Sequence, residues 1–255
     1  MGMKVDSGTV RAALNRHREL YATRKNNAWD IKHHIGLWMA GLQAFRAGSR
    51  EHFEEIYKQL RNRWQVFRGG GKTKLSAGEI FQLMGKCDKR YQDLRLSQLT
   101  VEDLPGLWCL LLSMGGIKVN SDGPAIVAIS KFLHFWNPAL FVIVDHAVMW
   151  NWVFRHQWLR YPMLEVRREL EGKLPEIAKT RVGPNCDLGS YLAILVWAGR
   201  LLAANSIVMD EFRTYLDREA EGLRLPNSLQ LEAVAVEWFL LGLVELPAAG
   251  VVVGS

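Results

Sequence analysis

Residues 121–148, SDGPAIVAISKFLHFWNPALFVIVDHAV, decide the fold that we predict for this chain. The polar hairpin at 121–123 precedes Pro124, and proline is favoured at the first position of a helix. Residues 126–136 are apolar almost all round, which predicts a helix that is buried on most of its sides. Pro138 ends this helix, because the residue before a proline is pushed out of the helical conformation.

A single carboxylate, Asp145, follows the second apolar run of the stretch, residues 140–144. We expect it to open a further aromatic-rich helix that ends at Tyr161-Pro162. Aspartate at a helix start commonly accepts hydrogen bonds from the first-turn amides, which makes Asp145 an N-cap. A partly buried carboxylate held at the mouth of a cleft is also how catalytic acids are presented, and one residue can serve both purposes.

Helical periodicity dominates the rest of the chain, and alternating strand patterns are scarce. The sequence therefore predicts an all-α protein of about ten helices. We interpret it as a single unit, 1–255, with a basic N-terminal part at 1–75 and a helical part at 76–180 that carries the hairpin at 119–125. The C-terminal helices at 181–255 are expected to pack back on the N-terminal part. The predicted helices cover 10–23, 29–45, 53–67, 76–91, 100–114, 126–136, 145–161, 163–177, 188–204, 209–221 and 229–244. Gly48 is expected to end the second of them, and Ser76 and Glu79 form a capping box at the start of the fourth. The helix at 188–204 is apolar enough to be a central buried helix.

The composition is that of an ordinary globular protein, with 49% hydrophobic and 23% charged residues in 255. We find no pattern typical of a secretion signal or a membrane span, and we expect a cytoplasmic protein. The three cysteines, Cys87, Cys109 and Cys186, are scattered, which argues against a zinc site or an iron–sulfur cluster. No metal or other cofactor is expected.

Positive charge is concentrated near the N-terminus. Residues 1–74 contain 15 Lys/Arg against 6 Asp/Glu, whereas the whole chain has a net charge of +6. A basic third on a near-neutral body indicates a polyanionic partner, with nucleic acid as the first candidate. An ordinary solvated helix surface with surplus lysine and arginine is the alternative.

The loop RGGGKTK at 68–74 does not match a nucleotide-binding phosphate loop, because Val66 occupies the position of its first glycine. We interpret it as a flexible basic loop in which Arg68, Lys72 and Lys74 contact a DNA backbone. A plain solvent-exposed linker remains the alternative.

The stretch at 121–148 resembles the helix–hairpin–helix DNA glycosylase superfamily. In that family a Gly-rich hairpin and an apolar helix are followed by a loop that ends in V-D-x-x-V, which residues 144–148, VDHAV, match. Residues 123–125, GPA, and 130–135, SKFLHF, look like a divergent bacterial branch. The match covers this stretch alone, and the helical remainder is compatible with it.

The resemblance implies two helical subdomains around the central helix–hairpin–helix, with a cleft into which a base is flipped from double-stranded DNA. The hairpin amides would hold a DNA phosphate at a helix N-terminus. Asp145 would stabilise the positive charge that develops on the sugar and would activate the attacking water. The implied hairpin contacts come from Ser121, Asp122, Gly123, Pro124 and Ala125.

The chain departs from the family at two positions. Ser121 replaces a preferred glycine, and Ala125 lies near the position at which strand-cleaving members carry a lysine nucleophile. Lys131 lies about two helical turns further on and is expected to point elsewhere. We therefore predict a monofunctional enzyme that leaves an abasic site.

Several further residues could face the cleft, although each also has a structural interpretation. Lys131 and His134 could equally lie on the one solvent-exposed stripe of a buried helix. His146 is best interpreted as solvent-facing. Tryptophans could stack on an extruded base or fill the gap that it leaves. The tryptophans considered for this are Trp29, Trp136 and Trp150.

The sequence thus predicts a monomeric, nucleoid-associated DNA N-glycosylase. Its substrate would be a damaged, mismatched or modified base, either an endogenous lesion or a hypermodified base of phage DNA, in which case the protein would act in defence. The alternative is a non-catalytic helical protein that binds DNA or another partner on the same scaffold. In that case Asp145 is only a helix cap.

Overall fold

The computed structural model describes residues 3–22, 31–64, 66–67, 75–120, 123–180, 185–220, 225–226 and 229–246. The fold is all-α, as the sequence predicts, with eleven α-helices among these residues. Two short strands, β1 (Val119–Asn120) and β2 (Gly123–Pro124), pair antiparallel ahead of α7. The helices are α1 (Ser7–Ala22), α2 (Ile31–Arg46), α3 (Arg50–Asn62), α4 (Ala77–Gly85), α5 (Arg90–Asp93), α6 (Leu104–Ser113), α7 (Ile126–Trp136), α8 (Gln157–Glu171), α9 (Leu188–Ala204), α10 (Ile207–Glu219) and α11 (Glu232–Leu243).

Local sequence signals explain where several helices begin and end. Ser76 accepts a hydrogen bond from the Glu79 amide, and the Glu79 carboxylate accepts one from the Ser76 amide, which confirms the predicted capping box of α4. Beyond α2, Gly48 adopts a φ of +70°, a left-handed conformation that glycine reaches without a steric penalty.

The first and last helices pack together: α1 lies against α11 and α10, while α9 contacts α8, α6 and α11. Gly242 of α11 faces the Ala13 carbonyl so closely that a Cβ there would lie 1.8 Å from its oxygen. Gly41 of α2 meets the Phe135 carbonyl of α7 in the same way, at 2.2 Å. Glycine at these crossings lets the helix backbones approach each other closely.

The apolar helix α9 is buried along almost its whole length, as predicted. It supplies the centre of the core, between α8 and α11. Among the described residues no single helix is long and apolar enough to cross a bilayer, although α9 and α10, bent by 89°, pass the same length and composition test when they are counted together.

Several predicted helix boundaries are wrong. The helix predicted at 76–91 is divided into α4 and α5, the one predicted at 53–67 ends at Asn62, and the one predicted at 163–177 is α8, which begins and ends six residues earlier. Pro124 does not open α7, because the hairpin ladder extends to it and Ala125 occupies the N-cap position. The helix predicted at 145–161 is instead a π-helical turn, His146–Trp150, and a 3-10 turn, Val153–Arg155, followed by α8. Pro162 lies inside α8, where burial of the apolar face of this helix compensates for one missing backbone hydrogen bond.

Candidate active site

Asp145 follows a buried segment without regular secondary structure and caps the π-helical turn that comes next. Its Oδ1 accepts hydrogen bonds from the amides of Ala147 at 2.9 Å and Val148 at 3.2 Å, so the predicted N-cap is confirmed. The side chain is 34% exposed. The carboxylate is therefore held in place and still accessible from outside.

Lys131 contacts the other oxygen of this carboxylate. Its Nζ lies 3.3 Å from Oδ2 of Asp145 and 5.7 Å from the ring centre of Trp64, and only 8% of the lysine side chain is exposed. Lys131 was expected to point elsewhere, or to lie on a solvent-exposed stripe of its helix, and both expectations are wrong because its ammonium is buried against the acid. The reason is that the chain turns back after α7, which brings Asp145 alongside Lys131.

The segment at 141–145 is held by side chains at four of its five residues. Because the segment lacks a helix or sheet ladder and is mostly buried, its polar backbone groups need partners from elsewhere. The contacts run from His134 to the Phe141 carbonyl, Tyr191 to the Val142 carbonyl, the Val144 amide to Ser130, and Lys131 to Asp145. Helices α7 and α9 together therefore position the acid.

His134 is one of these buried holding groups and does not face a cleft. Its Nδ1 donates to the Phe141 carbonyl at 2.8 Å, and its Nε2 accepts from the Trp38 indole at 3.2 Å, which requires the neutral ring. Burial lowers the pKa of His134 to about 4. Its interpretation as a residue of a solvent-exposed stripe or of a cleft is wrong, because the 141–145 segment covers it.

Glu237 is a site residue that the sequence did not single out. It is 6% exposed on α11, and its Oε2 has no hydrogen-bond partner among the described residues. Burial raises the pKa of Glu237 to about 8. The Ile143 backbone and the charge of Lys131 act against this shift, and the charge of Asp145 adds to it. A lone carboxylate within the apolar run of this helix was the signal that could have revealed it.

Lys118 brings a second buried ammonium close to the site. It directly precedes β1, and its Nζ donates to the Val66 carbonyl at 3.1 Å. Burial lowers the pKa of Lys118, and the charge of Lys131 lowers it further. The base of the hairpin and the acid are thus electrostatically linked through Lys131.

The hairpin itself is present, but its predicted set of phosphate-binding amides is smaller than expected. The Ala125 amide donates to the Lys118 carbonyl at 3.2 Å, and proline at 124 has no amide hydrogen, so neither supplies a donor. Gly123 remains a candidate. Ser121 and Asp122 at the hairpin tip lie outside the described residues, as do Arg68, Lys72 and Lys74.

The structure places in the core those tryptophans proposed for base stacking that it describes. Trp136 and Trp150 are both buried, Trp136 against Phe141 and Trp150 against Phe154, so their assignment to a cleft is wrong. Their rings fill the core because the helical turns that carry them pack inward. Trp29 lies outside the described residues.

His146 is exposed, as its solvent-facing interpretation predicts, and its Nε2 pairs with the side-chain Nδ2 of Asn151 at 3.0 Å. In the part of the chain that the structure describes, no group of three or more His, Cys, Asp or Glu is arranged to hold a metal ion. Comparisons with protein-family models, with curated proteins and with solved structures gave no match. The site is therefore interpreted from its own geometry.

Proposed function

We propose that this protein is a DNA N-glycosylase that flips a base out of the duplex and hydrolyses its glycosidic bond. The observation that supports this most directly is the arrangement of Asp145. Two backbone amides hold one of its oxygens, Lys131 holds the other, and a third of the side chain is still exposed. A carboxylate that is held in one orientation and is still accessible can stabilise a sugar cation through its negative charge.

The connection between hairpin and acid supports the same proposal. The hairpin leads directly into α7, and α7 carries Lys131 and Ser130, which contact Asp145 and Val144. A phosphate bound at the hairpin would therefore lie at a fixed distance from the carboxylate. Rigid spacing between an anchored phosphate and a reacting sugar contributes to catalysis by orienting the reactants.

In the proposed reaction the bond between C1′ of the sugar and the base nitrogen breaks, and water adds to C1′. Asp145 stabilises the cationic sugar and orients the water, and the water's second proton is released to the base or to solvent. Lys131 holds one oxygen of the acid in place, although its positive charge weakens the field that the sugar experiences.

We propose that the enzyme is monofunctional, because the Lys131 ammonium is buried and ion-paired with the acid. A nucleophilic lysine would need to be a free amine. Borohydride should then fail to trap the protein covalently on DNA that contains an abasic site. Efficient trapping that is lost in Lys131→Met would contradict this part of the proposal.

The non-catalytic scaffold remains the second candidate, and a specific observation favours it. Every contact of Asp145 described above is one that a purely structural cap and ion pair would make. Under this alternative, losing the carboxylate would lower stability and would remove no activity.

Excision from a panel of duplexes with modified bases, detected as alkali-labile sites, separates the two candidates. We expect Asp145→Asn to bind DNA as the wild type does and to form no abasic sites. The matched control is Asp187→Asn, because Asp187 caps α9 through the Ser190 amide and pairs with the buried Arg167. This control should lose stability and keep excision. Unchanged excision in Asp145→Asn would refute the proposal.

A further inference from the structure

The cations of the N-terminal helices differ in whether a carboxylate neutralises them. Those that form ion pairs with Asp or Glu are Arg11, Arg16, Arg18, Arg46 and Arg50. Three exposed cations at the C-terminal end of α3 form a second group, Lys58, Arg61 and Arg63, which we call the basic end of α3. None of these three has a carboxylate partner among the described residues. Part of the positive charge of the N-terminal helices is therefore left without a counter-charge at this place.

Arg63 is held in position by a neighbouring helix. It is the C-cap residue of α3, and its Nη1 lies 2.9 Å from Nε2 of His33 on α2. A guanidinium group only donates hydrogen bonds, so the His33 nitrogen is the acceptor and the other N–H groups of Arg63 are not used by this contact. An arginine that is already oriented loses less conformational freedom when it binds an anion.

The basic end of α3 adjoins the helix that holds the candidate acid. Trp64 directly follows Arg63, and its ring centre is 5.7 Å from Nζ of Lys131 on α7. The same ammonium lies 3.3 Å from Oδ2 of Asp145. The Trp64 ring also packs edge-on against Phe135 of α7, with ring centres 5.5 Å apart. One residue thus separates the last of the three cations from the ion pair that contains the acid.

Cations at the end of a helix also have a purely local role, because they interact favourably with the negative end of the helix dipole. That role involves no partner outside the protein. The contact with Lys131 adds a location beside the accessible acid, where a polyanionic substrate would have to lie. The local role and an external partner can be separated by measuring binding.

We propose that the basic end of α3 binds the phosphate backbone of duplex DNA next to the candidate acid. Guanidinium groups bind phosphate oxygens through paired hydrogen bonds, and lysine binds them as a point charge. Such contacts position the duplex without reading its sequence. This surface is additional to the hairpin and to residues 68–74. The inference rests on the proposed function for the identity of the partner, and its test measures binding separately from excision.

The test compares the wild type with the triple variant Lys58→Gln/Arg61→Gln/Arg63→Gln. Binding to a fluorescently labelled duplex is measured by anisotropy between about 0.05 and 0.3 M salt, a range over which phosphate contacts weaken strongly. We expect the triple variant to bind at least about tenfold more weakly at 0.1 M salt, and the slope of log K against log salt to fall by about 1–3. The single variant Arg61→Gln should lower the slope by about 1.

The matched control removes the same charge elsewhere on the surface. Lys4→Gln/Lys173→Gln/Lys179→Gln changes three exposed lysines that lie outside α2 and α3. It should keep the wild-type slope, because long-range attraction alone would affect both triple variants equally. Equal slopes for the two triple variants would overturn the inference, as would a wild type that binds an acidic peptide but no duplex.

Excision separates this inference from the proposed function. Single-turnover release at saturating protein should be unchanged in the basic-end variant, because its three side chains contact the backbone and not the reacting sugar. If no duplex is cleaved and binding still falls as expected, the proposed activity fails and the surface assignment stands. If excision occurs and binding is unchanged in the variant, the surface assignment alone is overturned.

Discussion

The ion pair between Lys131 and Asp145 can be tested by a double-mutant cycle that compares Lys131→Met, Asp145→Asn and the double variant. At 3.3 Å, and with an effective dielectric constant of about 20, the gross attraction is about 5 kcal/mol. Desolvation of the lysine opposes this attraction, and solvent screens the aspartate, which is 34% exposed. We therefore expect a net coupling energy of about 1–3 kcal/mol.

The two single variants should differ in a direction that follows from burial. Asp145→Asn keeps an oxygen for the helix cap but leaves an ammonium that is only 8% exposed without its carboxylate. Lys131→Met leaves a carboxylate that keeps two amide donors and contact with solvent. Leaving the more deeply buried charge unpaired costs more, so Asp145→Asn should be the more destabilising variant.

Arg200 and Glu169 provide a matched control on the surface. Their closest atoms are 2.7 Å apart, nearer than Lys131 and Asp145, but their side chains are 49% and 45% exposed. Screening should reduce their coupling to about 0.2–1 kcal/mol. The longer but more buried pair is thus expected to couple more strongly than the shorter exposed one.

The free energies of unfolding come from urea titrations at pH 7 in about 0.1 M salt. At this ionic strength the interaction between exposed charges is screened over a distance of roughly 10 Å. The signal is the fluorescence of the ten tryptophans. A coupling below about 0.5 kcal/mol for Lys131 and Asp145, or a larger value for the surface control, would refute the account of how burial strengthens this pair.

The remaining predictions concern stability. Burial lowers the pKa of His134 to about 4, below the value of about 6.5 in the unfolded chain, so its stabilising effect is complete above pH 6.5 and is lost as the pH falls towards 4. Urea unfolding should therefore show a loss of about 2 kcal/mol between pH 7 and 5 that is absent in His134→Gln; an equal loss in that variant would assign it to other groups. Gly242→Ala places a Cβ 1.8 Å from the Ala13 carbonyl oxygen, and forcing α1 and α11 apart should cost about 2–3 kcal/mol in the same assay. Gly36→Ala, with no atom within 4 Å of its Cβ, is the control and should be neutral or stabilising by up to about 1 kcal/mol.

The sequence predicted the individual elements of the site better than the contacts between them. The capping box of α4, the glycine after α2 and the N-cap at Asp145 depend on residues within one or two turns, and all three are confirmed. The boundaries at Pro124 and Pro162 were predicted wrongly, because hairpin pairing and helix packing override the local preference of proline.

The buried polar residues of the site were the main failure of sequence interpretation. Lys131 and His134 lie in an apolar helix, where a polar side chain is more often on a solvated stripe. Glu237 was not predicted as a site residue, because helix periodicity alone does not show which segment packs over α11. Two of these residues, Lys131 and His134, hold the segment that ends at Asp145.

The sequence by itself determined an all-α chain, a hairpin ahead of a buried helix, and one aspartate at the start of a helical turn. Only the tertiary structure decided which side chains hold that aspartate. The physical reason is that the 141–145 segment is mostly buried without a helix or sheet ladder, so its backbone groups must find partners elsewhere. Those partners come from α7, which precedes the segment, and from Tyr191 of α9, 49 residues beyond the carbonyl that it holds, and they meet only when the core is packed.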